Sequence, residues 1–347
     1  RDRSPSRGLG DVYKRQVQTR RPDMLVFING IPVTIFEFKS AIEEDATIHN
    51  AWEQVTIRYA RDIPALLKYC TMAVISDGVN TKLGTIFTPY KFFYSWNKAN
   101  ETDTVANGIS SLFTMIEGAF SPDRLLQVFR DFVFYPDDSK KGEAIICRYP
   151  QFFAANKMLE SLSQHKRPDG DGKGGIYFGA TGCGKTYTML FLSRQLMLRK
   201  KDVFHNPTIV LITDREDLDT QTSKLFVTAK EYLHDKNIKS IESRDDLHYT
   251  LSNCESGGVY ITTIQKFCES TGLLSDRSNI ICISDEAHRS NAGVNAKLKK
   301  TDKGVFTTYG FAYYLRESLP NAVYCGFTGT PVDLSLIHIS EPTRRTP

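Results

Sequence analysis

The apolar residues change their period along the chain. From Met24 to Phe38 they form two short runs broken by Asn29-Gly30, a dipeptide suited to a tight turn, so the pattern predicts a β-hairpin. Strand alternation over residues 33–39 puts Val33, Ile35, Glu37 and Lys39 on one face and Thr34, Phe36 and Phe38 on the other. Residues 45–69 take a helical period up to Pro64, CTMAVISDG (70–78) reads as a strand, and 109–134 reads as short helices with Ser121-Pro122-Asp123 as a helix start. After about residue 145 the pattern becomes GGIYF (174–178), TIVLIT (208–213), GVYITT (258–263), NIICIS (279–284) and AVYCGF (322–327). Segments long enough for crossovers separate these runs, which predicts a parallel sheet covered on both faces. The expected fold class is α/β: a mixed α/β domain over 17–108, a helical connector over 109–144 and a parallel-sheet domain over 145–333.

The two ends of the chain are read separately. Back-translating Asp11–Gln16 as GATGTGTATAAGAGACAG gives the reverse complement CTGTCTCTTATACACATC, which reads Leu-Ser-Leu-Ile-His-Ile, residues 334–339. The pair resembles the mosaic-end adapter of transposase-based sequencing libraries. Residues 1–16 and 334–347 are therefore expected to be non-native tails, and the natural protein is expected to continue past both ends. The whole chain carries 44 basic and 40 acidic residues; without the seven basic and three acidic residues of these tails, 37 of each remain. Global charge thus gives no argument for nucleic acid, and any such binding has to be local. No apolar run approaches the ~20 residues of a membrane helix, so no membrane is expected. The seven cysteines are scattered without a Cys-x-x-Cys pair, which points to a reducing, cytoplasmic setting and away from structural zinc.

GATGCGKT (179–186) follows a predicted strand and precedes a predicted helix, the context that a phosphate-binding loop requires. Gly179, Thr181, Gly182 and Gly184 would cradle phosphates with backbone N–H groups, Lys185 would reach the terminal phosphates, and Thr186 would ligate Mg²⁺. The implied cofactors are ATP and Mg²⁺. SDEAH (284–288) closes another apolar strand; Asp285 is placed to hold the magnesium and Glu286 to polarise the attacking water.

The order GATGCGKT, TDREDLDTQ (213–221), TTIQKF (262–267), SDEAH, GFTGTP (326–331) resembles the motifs of a superfamily 2 helicase or translocase, whose motor domains are RecA-like. That resemblance implies that Thr328-Gly329-Thr330 couples nucleotide to the bound strand, that segments 213–221 and 262–267 touch the DNA backbone, and that His288 lies between ATP and DNA. RYPQ (148–151) is similar to the upstream motif in which Arg148 and Gln151 would read adenine; a helix-start Gln without a ligand is the plain alternative.

The opening stretch then acquires a chemical reading. Asp23, followed by Glu37-x-Lys39 on a neighbouring strand, resembles the metal site of a PD-(D/E)xK nuclease. Asp23 and Glu37 would hold Mg²⁺, and Lys39 would position water or stabilise charge on phosphorus. A surface ion pair of Glu37 with Lys39 explains the same residues. The two readings differ in register. Asp23 and Glu37 share a face only if paired residue numbers sum to 60, whereas a two-residue Asn29-Gly30 loop gives 59. The nuclease reading therefore requires an odd-length loop or a bulge near Pro32.

A PD-(D/E)xK candidate ahead of a superfamily 2 motor, with RPDMLVF, FEFKSA, RYARDIP and SDEAHRS, resembles the restriction subunit of type I restriction-modification enzymes. The resemblance implies ATP-driven translocation and cleavage of double-stranded DNA, modification and specificity subunits as partners, and a second motor domain after residue 333 without which this stretch is inactive. The family's Gln-x-x-x-Tyr element is matched imperfectly: Gln54 and Tyr59 are five apart, and Arg58 falls four after Gln54. Two alternatives stay open. One is a type III restriction subunit, and the other is a DNA-bound ATPase whose first domain only docks.

Overall fold

The computed structural model describes residues 19–40, 47–139, 143–214, 216–268, 271–287, 297–301, 304–308, 310–330 and 338–340. The chain divides into two units. The first runs to Tyr135 and takes in Ser139–Tyr149; the second takes in Pro136–Asp138 and the chain from Pro150 onward.

The first unit is built on a four-stranded mixed sheet in the order β1 (Met24–Ile28), β2 (Ile31–Phe38), β3 (Met72–Ser76), β4 (Thr81–Gly84). The hairpin closes as its sequence predicts, with Asn29 at φ 52° and Gly30 at φ 81°, the paired left-handed geometry of a two-residue turn. Ile28 faces Ile31 and Phe27 faces Pro32, so the ladder starts with pairs summing to 59. A bulge then leaves Val33 unpaired, and Val26, Leu25 and Met24 face Thr34, Ile35 and Phe36, which sum to 60. Proline supports this placement, because it has no N–H to give a ladder and is tolerated at bulges. The bulge near Pro32 is therefore present, and the register continued one step sets Asp23 opposite Glu37.

Between β2 and β3 the predicted helix is not one helix. α1 (Ile48–Glu53) passes into a π-helical turn, Gln54–Tyr59, and after Ile63 a further turn, α2 (Pro64–Leu67), begins with proline at its first position. Ile48, Ala51, Val55 and Tyr59 pack with Ile35, Ala73 and Ile75 on the sheet to form the core of this unit. The segment read as a connector contributes α3 (Ser110–Ala119) and α4 (Pro122–Asp131) to the same unit, together with a two-residue ladder of β5 (Val133–Phe134) and β6 (Ile145–Ile146).

The second unit carries a seven-stranded parallel sheet. Its chain order is β7 (Lys173–Phe178), β8 (Thr208–Thr213), β9 (Ile238–Ser240), β10 (Val259–Thr263), β11 (Ile280–Ser284), β14 (Val323–Thr328) and β15 (His338–Ser340). Across the sheet the order is β15, β7, β14, β11, β8, β10, β9. β15 lies in the segment expected to be a non-native tail. All five strands expected from the apolar runs are present; β9, only three residues long, gave no comparable signal. An antiparallel hairpin of β12 (Lys297–Thr301) and β13 (Gly304–Thr308) stands outside the sheet. β8, β10 and β11 are buried along their whole length, as expected for strands covered on both faces, and each buried Val, Leu or Ile contributes about 1.5–3 kcal/mol. Helices α5 (Tyr149–His165), α6 (Lys185–Leu198), α7 (Glu216–Val227), α8 (Arg244–Asn253) and α9 (Phe311–Ser318) are the longer helices. Cys282 and Cys325 are buried in β11 and β14 as small core residues, and the cysteines are free thiols.

Candidate functional site

The first unit gathers its polar residues at the end of β2. Glu37 is 1% exposed. Lys39 donates to its Oε1 at 2.7 Å and Tyr59 Oη to its Oε2 at 3.0 Å. Lys39 also donates to Gln54 Oε1 at 2.9 Å, and Gln54 Nε2 donates to Tyr59 Oη at 2.7 Å, which closes a ring of four side chains. The Glu37–Lys39 ion pair of the plain reading exists, but it is not a surface pair. A buried carboxylate is tolerated only when its oxygens are matched by donors, and here both are. Burial pushes the Glu37 carboxyl above its usual range against the pull of Lys39, and nearby Asp23 adds to the rise.

The five-residue spacing of Gln54 and Tyr59 is resolved by the π turn between them. Hydrogen bonds spanning five residues place residues i and i+5 one above the other, so both side chains reach the end of β2. Sequence reading left this pair unassigned because it assumed an α-helical period. Arg58, the alternative partner for Gln54, is exposed.

Asp23 lies at the mouth of this ring. Its Oδ2 accepts from the backbone N–H of Phe38 at 2.7 Å, which extends the hairpin by one side-chain bond. Asp23 and Glu37 offer only carboxylate oxygens, the donor type of a hard divalent ion. Two protein carboxylates are also what Mg²⁺ commonly takes, with water and phosphate completing its shell. Among the described residues no group of three or more His, Cys, Asp or Glu is placed to hold a metal ion.

In the second unit strand order assembles the site. β14 lies between β7 and β11, so the loops after these strands meet at the carboxyl end of the sheet, where open α/β folds bind ligands. After β7 comes the loop Gly179–Thr186, with Gly182 at φ 79° and Gly184 at φ 88°. Lys185 opens α6, is 9% exposed, and donates to Gly179 O at 3.3 Å, with Glu286 Oε1 3.7 Å away. Thr181 and Gly182 are exposed on the same loop and Thr186, the second residue of the helix, is half-buried.

After β11 come Asp285 and Glu286. Asp285 N donates to Ile212 O at 2.8 Å, and its Oδ1 accepts from Glu286 N at 2.9 Å. Burial raises the Asp285 carboxyl above its usual range. Glu286 holds a left-handed backbone at φ 47°, uncommon for a residue with a Cβ. After β14, Thr328 O accepts from Gly179 N at 2.9 Å, Thr328 Oγ1 accepts from Thr330 N at 3.2 Å, and Gly329 N approaches Glu286 Oε2 at 3.5 Å. The three motifs thus meet, the first and third through backbone groups and the second through the Glu286 carboxylate. Thr186 and Asp285, a hydroxyl and a carboxylate, are oxygen donors of the kind magnesium takes.

The remaining expected residues divide. Gln151 is buried on α5 and its Nε2 donates to Gly184 O at 3.1 Å, so the upstream glutamine does reach the loop. Arg148 belongs to the first unit, where its guanidinium lies 3.4 Å from the centre of the Tyr94 ring and donates to Tyr94 Oη. His288 lies outside the described residues, as does Arg215 of the 213–221 segment. From the 262–267 segment, Gln265 Nε2 donates to Asp214 O at 2.6 Å.

Comparison with known proteins agrees with this division. Residues 150–343 match the SWI2/SNF2 ATPase family, and residues 12–92 match the type I restriction enzyme R protein N terminus. The type I restriction enzyme HindI endonuclease subunit of Haemophilus influenzae is 36% identical over 333 residues, covering 93% of this chain and 31% of that protein. The SauCOLORF180P endonuclease subunit of Staphylococcus aureus is 26% identical over 332 residues, covering 92% and 31%. The chain therefore spans about a third of the length of the curated relatives it matches. Among solved structures, the Sulfolobus solfataricus SWI2/SNF2 ATPase core in complex with double-stranded DNA aligns with 52% of this chain and 31% of that one at 15% identity and a TM-score of 0.34. The fold assignment rests on the strand order above.

Proposed function

From the premise that the chain belongs to the R subunits of type I restriction enzymes, with a SWI2/SNF2 ATPase as its second unit, we infer that the full protein is an ATP-driven, DNA-translocating endonuclease subunit acting on unmodified duplex DNA. The observation that carries this reading is the buried ring of Glu37, Lys39, Gln54 and Tyr59 in a chain that also carries a phosphate-loop ATPase unit.

Asp23 and Glu37 would hold Mg²⁺, whose chemistry there is to polarise the scissile phosphate. Lys39 keeps its ammonium beside Glu37 and lends positive charge to the phosphorus centre or orients the attacking water. Gln54 and Tyr59 fix Lys39 and Glu37 by hydrogen bonds, so neither has to reorganise when substrate arrives. In the second unit Lys185 takes the terminal phosphates of ATP, Thr186 and Asp285 would hold its Mg²⁺, and Glu286 orients water. Thr328, Gly329 and Thr330 link that site to bound DNA, and Gln151 and His288 contribute around the nucleotide. Modification and specificity subunits supply methylation and target choice, and the assembly works in the cytoplasm. The residues before Asp333 bind Mg-ATP but hydrolyse it near background by themselves, because a second motor domain supplies the arginines that complete the site.

The test separates the two chemistries in the full-length subunit within its assembled enzyme. Lys185→Ala is expected to abolish ATP hydrolysis and cleavage together. Lys39→Ala is expected to abolish cleavage while ATP hydrolysis continues. DNA cutting at the wild-type rate by the Lys39→Ala enzyme would reduce the Glu37–Lys39 pair to a structural contact and overturn the nuclease assignment.

A further inference from the structure

The RYARDIP stretch holds an acid that the proposed chemistry leaves unused. Asp62 closes the helical segment after the π turn, and its side chain is fully shielded from solvent. A carboxylate without access to water needs strong partners, and it has two. Arg61 donates to Oδ1 at 2.7 Å and to Oδ2 at 3.2 Å, and Arg20 Nε donates to Oδ2 at 2.7 Å. Arg61 and Arg20 together hold the carboxyl down to about 2.

Arg61 is a neighbour in sequence, but Arg20 is 42 residues away, three residues before Asp23. One residue further on, the carbonyl of Arg21 lies 3.2 Å from Tyr59 Oη, sharing with Glu37 the single proton that this hydroxyl donates. The turn bearing Gln54, Tyr59 and Asp62 therefore grips two strands. Gln54 and Tyr59 hold the end of β2 through Lys39 and Glu37, while Tyr59 and Asp62 hold the lead-in to β1 through Arg21 and Arg20. Asp23, between that lead-in and the ladder, is otherwise secured by its bond to Phe38 N. The grip at residues 20–21 thus adds to the Asp23–Phe38 bond in keeping Asp23 opposite Glu37.

We propose that Asp62 is a positioning residue of the nuclease site: through Arg20 it anchors the entry to β1 and so keeps the Asp23 carboxylate beside Glu37, where the two can share a divalent cation. The inference rests on the nuclease reading for its purpose, but its structural content is separable. It requires that loss of the Asp62–Arg20 pair loosens Asp23 specifically, an effect readable without any metal.

The experiment uses the full-length subunit in its assembled enzyme, with Asp62→Asn, Arg20→Ala, the double variant and Lys39→Ala. Without metal, hydrogen exchange of the Phe38 amide, whose acceptor is Asp23, is expected to quicken about tenfold in both single variants. The Mg²⁺ concentration for half-maximal cleavage is expected to rise about tenfold, the loss typical when a supporting partner of a metal ligand is removed, with the maximal rate largely kept. The double variant should shift the Mg²⁺ midpoint no further than Asp62→Asn alone, because that variant already breaks the Asp62–Arg20 pair. A merely structural role would lower the amount of active enzyme and leave the Mg²⁺ midpoint in place. Unchanged Phe38 exchange and an unchanged midpoint in Arg20→Ala overturn the proposal, and that variant decides the matter even where Asp62→Asn fails to fold. If Lys39→Ala still cuts DNA, the nuclease reading falls, and Phe38 exchange still reports on the anchor by itself.

Discussion

Gln54 Nε2 lies 2.7 Å from Tyr59 Oη although five residues separate them, a spacing that an α-helix would splay to different faces. The π turn is what lets the two residues act on one lysine and one glutamate, and it is open to test. Tyr59→Phe removes the donor to Glu37 Oε2 inside a buried ring; an unsatisfied buried acceptor costs about 1–3 kcal/mol, so cleavage should fall roughly 10–100-fold. ATP hydrolysis should be untouched. Deleting Ile57, which is 53% exposed, shortens the turn to an α-helical one with the tyrosine four residues after Gln54. Cleavage should survive that deletion far better than Tyr59→Phe, in the same assay.

The bulge at Val33 is needed because the chain carries one residue more than a two-residue turn allows. Deleting Val33 removes that residue and lets Val26 face Thr34 directly, so Asp23 still faces Glu37 in a regular ladder, and cleavage is expected to survive. Inserting one alanine after Val33 instead leaves two residues to absorb, and is expected to turn Glu37 away from Asp23 and abolish cleavage in the same assay. Val33→Ala, which keeps the residue count, should stay close to wild type.

Two glycines of the second unit should differ in how they fail. Gly184 has φ 88°, and a Cβ there would lie 2.4 Å from Gln151 Nε2, so Gly184→Ala both strains the backbone and displaces the glutamine. Nucleotide binding measured by calorimetry should be lost. A Cβ on Gly329 would sit 3.1 Å from Thr181 Oγ1 and 3.3 Å from Lys185 Nζ, a crowding that side-chain movement relieves only by shifting the lysine. Gly329→Ala should therefore keep the fold and weak binding but reduce ATP hydrolysis about tenfold or more, on the order of 1.4 kcal/mol of barrier.

Glu37 sets a pH dependence of stability whose sign follows from its environment. Its folded pKa is raised above the unfolded value, so the folded state takes up a proton more readily. The favourable, protonated situation is fully present below the unfolded pKa and is lost as pH rises through the folded one. At pH 7.5 without metal, Glu37→Gln should raise the unfolding midpoint of the first unit. The advantage should vanish at pH 4 and below, where the wild-type carboxyl is itself neutral. A variant less stable than wild type at pH 7.5 would show that the hydrogen bonds from Lys39 and Tyr59 outweigh burial.

Much of this protein was legible in its residues alone. Each of the five apolar runs after residue 173 became a parallel strand, because a strand buried on both faces must be apolar throughout and a short uninterrupted run records that demand locally. The phosphate loop was equally local: glycines at fixed spacing, a lysine and a threonine lie within one turn of chain, and nothing distant is needed to recognise them. The register demand was legible too: two acids on one face required an odd-length loop or a bulge near Pro32, and the fold takes the bulge, at Val33.

What the residues did not contain was long-range. That β14 threads between β7 and β11, so that Thr328 meets Gly179 and Gly329 meets Glu286, is decided by which strands pair across long stretches of chain. The π turn that joins Gln54 to Tyr59 is held by Ala51, Val55 and Tyr59 packing against the sheet, and by hydrogen bonds to Lys39 and Glu37 from another element. The pairing of Arg20 with Asp62 spans 42 residues and leaves no spacing to read. Local period reports the solvent each residue faces, whereas these contacts depend on which distant backbones come together, and only the folded chain brings them there.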